Sequence, residues 1–158
     1  MSLAVTAAAP VEVCTVTAVC TRPVPSPTMA KPEVPAIEVD PDVGVVGDVH
    51  AGPGRRQVAL ISLDALERLR AAVGPIDCGA MGENLVLTGV STESLRPGTR
   101  IAFAGGAVLE VTQPRTPCVE LDAIAPGLLR AAVGRCGVFA RVLTGGRLEA
   151  DAAFEILG

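Results

Sequence analysis

The run Gln113-Pro114-Arg115-Thr116-Pro117-Cys118 puts one thiol at the end of a stiffened loop beside a fixed positive charge. Each proline locks its own φ, and Pro117 also drives Thr116 away from helical backbone, so the chain enters Cys118 extended. A neighbouring guanidinium favours thiolate over thiol, and the thiolate is the form that attacks electrophiles or binds soft metals. The bland alternative is a buried cysteine serving as a small apolar residue. The stiffened loop and Arg115 make Cys118 the candidate for nucleophilic or metal-ligating work. Among the other cysteines, Cys14 and Cys20 alternate onto one face of a strand and read as core. Cys78 sits in a glycine loop, and Cys136, between Arg135 and Gly137, stays open between the two readings.

The sole histidine, His50, lies in Gly47-Asp48-Val49-His50-Ala51-Gly52. One histidine does not build a metal site without partners, and on a loop it is more often a hydrogen-bonded structural residue. It is also the only candidate base for a cysteine nucleophile. Asp48 either orients His50 or caps the loop through its own backbone amides. The flanking glycines, Gly47 among them, let the backbone approach a ligand closely. Arg55, Arg56, Arg115 and Arg135 all fall in or beside glycine/proline loops. Guanidinium groups clamp phosphate in a bidentate way, although each taken singly reads as a solvated surface charge. Gathered at one end of a barrel, the four make a phosphate-binding set. Glu83 and Asn84, after Gly82, bind a ligand or fix a turn. There is no Walker-type glycine loop and no G-x-S-x-G.

The elements that must position these residues are mostly short strands. Residues 11–20 alternate, with Val11, Val13, Thr15, Thr17 and Val19 on one face and Glu12, Cys14, Val16, Ala18 and Cys20 on the other. Residues 21–41 hold six prolines and predict an arm lying on the domain, with a short strand at 34–39. After the glycine-punctuated loop 44–54 comes a strand at 57–61. Ser62 then caps a helix whose Leu63, Leu66, Leu69 and Val73 recur at helical spacing until Gly74-Pro75 stops it. Strands follow at 85–87, 100–104, 107–112 and 138–143. A broken helix is expected over 121–133, turns at Gly105-Gly106 and Gly145-Gly146, and one or two strands over 147–157. The pattern predicts a mainly β fold, a β-barrel with two or three appended helices, and disfavours a parallel βαβ sheet.

Length and composition bound the rest. A chain of 158 residues suits one domain, 1–158, with a sizeable core. The net charge of −4 and 2% aromatic content supply neither a basic groove nor stacking rings, so nucleic acid is not the expected partner. Five cysteines without a C-x-x-C pair fit neither a disulfide framework nor a structural zinc site, and reduced thiols point to the cytoplasm. The first basic residue, Arg22, follows the apolar N-terminal stretch, unlike a secretory signal, and no apolar run is long enough to span a bilayer. Homo-oligomerisation stays open.

Taken in order, the stretches Gly47-Asp48-Val49-His50-Ala51-Gly52, Arg56-Gln57-Val58-Ala59-Leu60 and Gly82-Glu83-Asn84-Leu85 resemble those of the MOSC domain, named after the C-terminal part of molybdenum-cofactor sulfurase. The resemblance continues through Val108 to Cys118 and Gly134 to Leu143, and covers about residues 11–155. It implies a β-rich barrel in which Cys118 either ligates molybdenum in a bound molybdopterin cofactor or carries sulfur as a persulfide. It further implies that Gly47, Asp48, His50, Arg55, Arg56, Asn84, Arg115 and Arg135 bind that cofactor. The implied partners are an electron-donor protein, for reduction of N-hydroxylated compounds, or a pyridoxal-phosphate cysteine desulfurase that supplies the sulfur. This chain holds no pyridoxal-phosphate site of its own. A non-catalytic binding module is the third reading. Two departures stand out: Phe139 where a tyrosine is common in the family, and Thr99 where the turn often has aspartate.

Overall fold

The computed structural model describes residues 13–157, so Val11 and Glu12 of the expected first strand lie outside the described residues. Ten strands form: β1 (Thr15–Val19), β2 (Ala36–Asp40), β3 (Gly44–Val45), β4 (Val58–Ser62), β5 (Leu85–Thr88), β6 (Arg100–Phe103), β7 (Val108–Pro114), β8 (Val138–Thr144), β9 (Gly146–Glu149) and β10 (Phe154–Leu157). Two helices, α1 (Leu63–Val73) and α2 (Leu128–Ala131), accompany them, with 3-10 turns at Thr92–Ser94 and Val119–Ala123. Seven strands make one sheet in the order β1-β5-β4-β8-β7-β6-β10, and β3-β2-β9 make a small second sheet. The large sheet curls until its edges nearly meet. Val16 N–H donates to Ala152 O (2.9 Å) and Phe154 N–H to Cys14 O (3.1 Å), which gives the expected barrel.

One pair departs from the antiparallel expectation. β4 and β5 run parallel, with α1 as the crossover between them. β4 is accordingly buried along its whole length: Val58 and Leu60 face the barrel core, while Ile61 faces the helices. Such two-sided burial is what a parallel strand under a helix requires. A first core therefore fills the barrel, and a second lies between its wall and α1 and α2. Ser62 does cap α1, its Oγ accepting from Ala65 N–H at 3.2 Å. The expected second helix is divided, because Pro126-Gly127 leaves only a 3-10 turn before it and one short α-helical turn after.

Two sequence readings are corrected. Cys14 and Cys20 do not share a face. β1 has a register shift against β5 between Val16 and Ala18, so the alternation changes phase at Thr17. Cys14 packs against the barrel core, whereas Cys20 belongs to the core beneath the helices. The turn expected at Gly145-Gly146 does not form either, since Gly146 already belongs to β9. β9 leaves β8 for the small sheet and pairs with β2. A Cβ at Gly145 would sit 2.8 Å from Val39 O, so the corner tolerates only glycine.

Candidate functional site

A cleft of about 890 Å³ opens at one end of the barrel, within the range typical of small-molecule sites. Four places supply most of its wall. The proline-rich arm supplies Arg22, Ser26, Met29 and Lys31, and the glycine loop supplies His50, Arg55 and Arg56. The entry to β5 supplies Gly82 and Asn84, while the facing ends of β7 and β8 supply Gln113, Arg115 and Phe139. Five basic side chains, Arg22, Lys31, Arg55, Arg56 and Arg115, line it beside one acid, Glu120, in a chain whose net charge is −4, and Lys31 is paired with Asp48 behind the wall. Such charge separation concentrates anions at the cleft.

Asp48 is the anchor behind this wall, and it is 6% exposed. Its carboxylate accepts from Thr21 Oγ1 (2.7 Å), the Arg22 backbone N–H (3.2 Å), Lys31 Nζ (3.0 Å), the His50 backbone N–H (3.0 Å) and Asn84 Nδ2 (3.5 Å). Burial alone would raise its pKa, but these donors and the Lys31 charge together hold it below the usual carboxylate value. Lys31, 3% exposed, is itself pushed down by desolvation and supported by Asp48. Asn84 continues the lock. Its Oδ1 accepts from Ala59 N–H (3.1 Å), and its Nδ2 donates to Cys20 O (3.1 Å). The alternatives left open for Asp48 and Asn84 thus resolve toward holding the wall, with Asn84 also lining the cleft. Gly47 adopts φ +78 in the turn before Asp48 and does not line the cleft.

Across the cleft the guanidinium groups of Arg56 and Arg115 lie over the Phe139 ring, at 5.6 and 5.8 Å from its centroid. Cation–π contact fixes both charges without neutralising them. Arg55 Nη2 donates to Thr112 O at 3.2 Å. Arg135, the fourth expected arginine, lies at the exit of α2 and is not part of the cleft wall. Behind Gly82, the Glu83 side chain is 1% exposed. Its Oε1 accepts from Met81 N–H (3.1 Å), and its Oε2 has no partner among the described residues. Burial raises the Glu83 pKa against the pull of backbone amides and Arg115.

Cys118 stands apart from the other thiols. Burial pushes Cys20, Cys78 and Cys136 up, away from thiolate, and Cys136 joins the core under the helices. Cys118 is exposed and follows β7 immediately before the 3-10 turn Val119–Ala123. Its position corrects one expectation. The Arg115 guanidinium turns into the cleft, donating to the Met81 carbonyl, and the thiol's polar contact is the Glu120 carboxylate at 3.9 Å. The loop thus faces the cleft with Arg115 and Glu120 while Cys118 lies outside its lining residues.

Sequence reasoning missed Arg22, Lys31, Gln113 and Glu120 as wall residues. Two signals were available: Lys31 is the chain's only lysine, and both arm cations sit among prolines that fix the backbone around them.

A β-barrel with helices on one side and a cationic cleft at its end defines the class. The MOSC domain model matches residues 46–155, and this chain belongs to that family. Over 117 residues it is 36% identical to a protein of Gibberella moniliformis named "Reductase", an alignment covering 66% of this chain and 21% of that protein. Over 87 residues it is 34% identical to the uncharacterized protein YflK of Bacillus subtilis, covering 52% of this chain and 39% of the relative. The chain thus spans about a fifth and two fifths of the lengths of these two relatives. The crystal structure of the Bacillus subtilis YUAD protein superposes with a TM-score of 0.80 at 20% identity, covering 92% of this chain and 96% of that one. YiiM from Geobacillus stearothermophilus gives 0.74 at 22% identity, covering 92% and 75%. These two likenesses establish the fold.

Proposed function

We propose that this chain is a cofactor-binding MOSC domain that takes the phosphate-bearing pterin of a molybdenum cofactor in its cationic cleft and reduces N-hydroxylated compounds with electrons from a donor protein. The observation that carries this reading is the cleft itself, with its five cations against one acid and a volume suited to a cofactor-sized ligand. Family membership and the relative named as a reductase agree with it. Arg55, Arg56 and Arg115 would hold the phosphate, with Asn84 at the pterin edge and Cys118 as the protein's ligand to the metal. When bound, the group would supply a centre for two-electron reduction. Among the described residues no three His, Cys, Asp or Glu side chains gather to hold a bare ion, so a metal here would arrive with ligands of its own. Thiolate sulfur is a soft ligand suited to such a centre. On this reading the protein works in the cytoplasm, where its thiols would stay reduced.

A second reading is favoured by one observation: Cys118 is exposed and outside the cleft lining. A thiol so placed is open to a protein donor, as a sulfur carrier receiving a persulfide from a cysteine desulfurase requires. Elemental analysis of protein from a cofactor-competent host, beside Cys118→Ser, separates the two. Near-stoichiometric molybdenum, lost in the variant, supports the reductase reading. Absence of molybdenum with an added sulfur mass on Cys118 supports the carrier, and absence of both overturns both.

A further inference from the structure

His50 occupies an electrostatic position that the proposed function does not use. Its side chain is 63% exposed and lines the cleft, while its backbone N–H is pinned to Asp48 Oδ2 at 3.0 Å. The backbone at His50 therefore stays in the wall whatever the charge on the ring. The groups facing it are Arg22 and Lys31 from the arm, Asp48 from its own loop and Arg115 from the end of β7, with Arg55, Arg56 and Glu120 also lining the cleft. Among the described residues Asp48 is the only acid close to the ring, with 3.8 Å from its Oδ2 to Nδ1, and its oxygens are already committed to Lys31, Thr21 and two backbone amides. Partial desolvation first, then the charges of Lys31, Arg22 and Arg115, hold the imidazole below its usual pKa against Asp48. Before an anion enters, those three charges therefore disfavour the imidazolium.

We infer that His50 takes up a proton when a dianionic group enters this cluster, so that the cleft binds phosphate-like dianions in a proton-linked way. Two negative charges set among Arg22, Lys31 and Arg115 cancel the repulsion that keeps the ring neutral, and the imidazolium then adds a further N–H donor at the anion. Linkage is reciprocal: the factor by which the anion raises proton affinity equals the factor by which protonation raises anion affinity. The sign follows. A group whose pKa rises on binding strengthens the complex as pH falls, and that gain is lost as pH rises through the bound-state value. The inference rests on the cleft being an anion site, as the proposed function has it.

The test uses the whole chain and sulfate, which stays dianionic across the range and brings no proton of its own. Because His50 is the only histidine, its ring resonances report directly in an NMR titration. Saturating sulfate is expected to raise the His50 pKa by about one unit, equivalent to about tenfold weaker sulfate binding above the bound-state pKa than below the free one. Sodium chloride at matched ionic strength should not move it. His50→Gln keeps the backbone amide that Asp48 holds, and its sulfate affinity should be flat with pH apart from changes below the carboxylate range. Sulfate binding with an unmoved His50 pKa overturns the linkage and leaves the anion site standing. No sulfate binding at any pH overturns both.

Discussion

The loop around Asp48 and the loop ending at Cys118 border the same cleft but are held by different means. Asp48 gathers donors from the arm, its own turn and β5, and every one of these contacts is part-buried or buried. Beyond β7 the second loop is restrained mainly by the fixed φ of its prolines, the inward grip of Arg115 and the short turn after Cys118. Groups that must stay put are over-determined by buried hydrogen bonds, while the thiol that would meet a metal or a partner keeps access to solvent. The barrel supplies a rigid rim, and the thiol proposed to react sits on the less constrained side of it.

That contrast breaks most sharply at Asp48. Asp48→Ala leaves the Lys31 ammonium buried without its counter-charge and is expected to cost about 3–5 kcal/mol, read from denaturant midpoints. A loss under about 1 kcal/mol would mean that the arm is not latched there. Because the Asp48 pKa is depressed in the folded protein, its contribution is complete above the unfolded value of about 3.9 and fades as pH falls further. The stability gap between wild type and Asp48→Asn should therefore narrow in acid.

Arg115→Ala is expected to weaken a phosphate-bearing or sulfate ligand by about 1.5–3 kcal/mol in titration calorimetry, the worth of a hydrogen bond to a charged group. Equal affinity in both proteins would remove Arg115 from the site. Glu83→Gln sharpens the comparison from within, since Glu83 is a second buried carboxyl but lacks the donors that satisfy Asp48. Its raised pKa means that folding holds a proton there, so wild-type stability falls as pH rises through the folded-state value. The variant should be more stable than wild type at alkaline pH by about 1 kcal/mol, the gap opening as pH rises through the folded-state value and staying level above it. The smallest stability effect belongs to Cys118→Ser, expected within about 0.5 kcal/mol of wild type while retained molybdenum or persulfide is lost. A large fall in melting temperature would make Cys118 a structural residue.

Much of the barrel was legible because local rules decide it. Ser62 and Gly74 bound α1, Gly105-Gly106 closes the β6–β7 hairpin, and alternation marks the strands. The phase change at Thr17 was not legible, since a bulge leaves no mark in a run of alternating Val and Thr. The same holds for the parallel β4–β5 pair, because a fully apolar strand does not declare its neighbour's direction. In the site, Arg55, Arg56 and Arg115 could be picked out from loop context. Arg135 looked identical by that criterion and lies elsewhere. Lys31 was invisible because its role depends on a carboxylate seventeen positions away, and only the fold brings the arm back over Asp48.

The seam between β1 and the segment leading into β10 has a kinetic consequence. Residues 14–16 bond to residues 151–154, so closing the barrel joins positions separated by most of the chain. Contacts of that separation are expected to form late in folding, after the local hairpin and helix. The same strand, β1, leads directly into Arg22 and the arm. A seam that opens transiently would loosen the arm's cations along with it, so hydrogen exchange at Val16 and Phe154 should report the lifetime of the assembled cleft as well as that of the barrel.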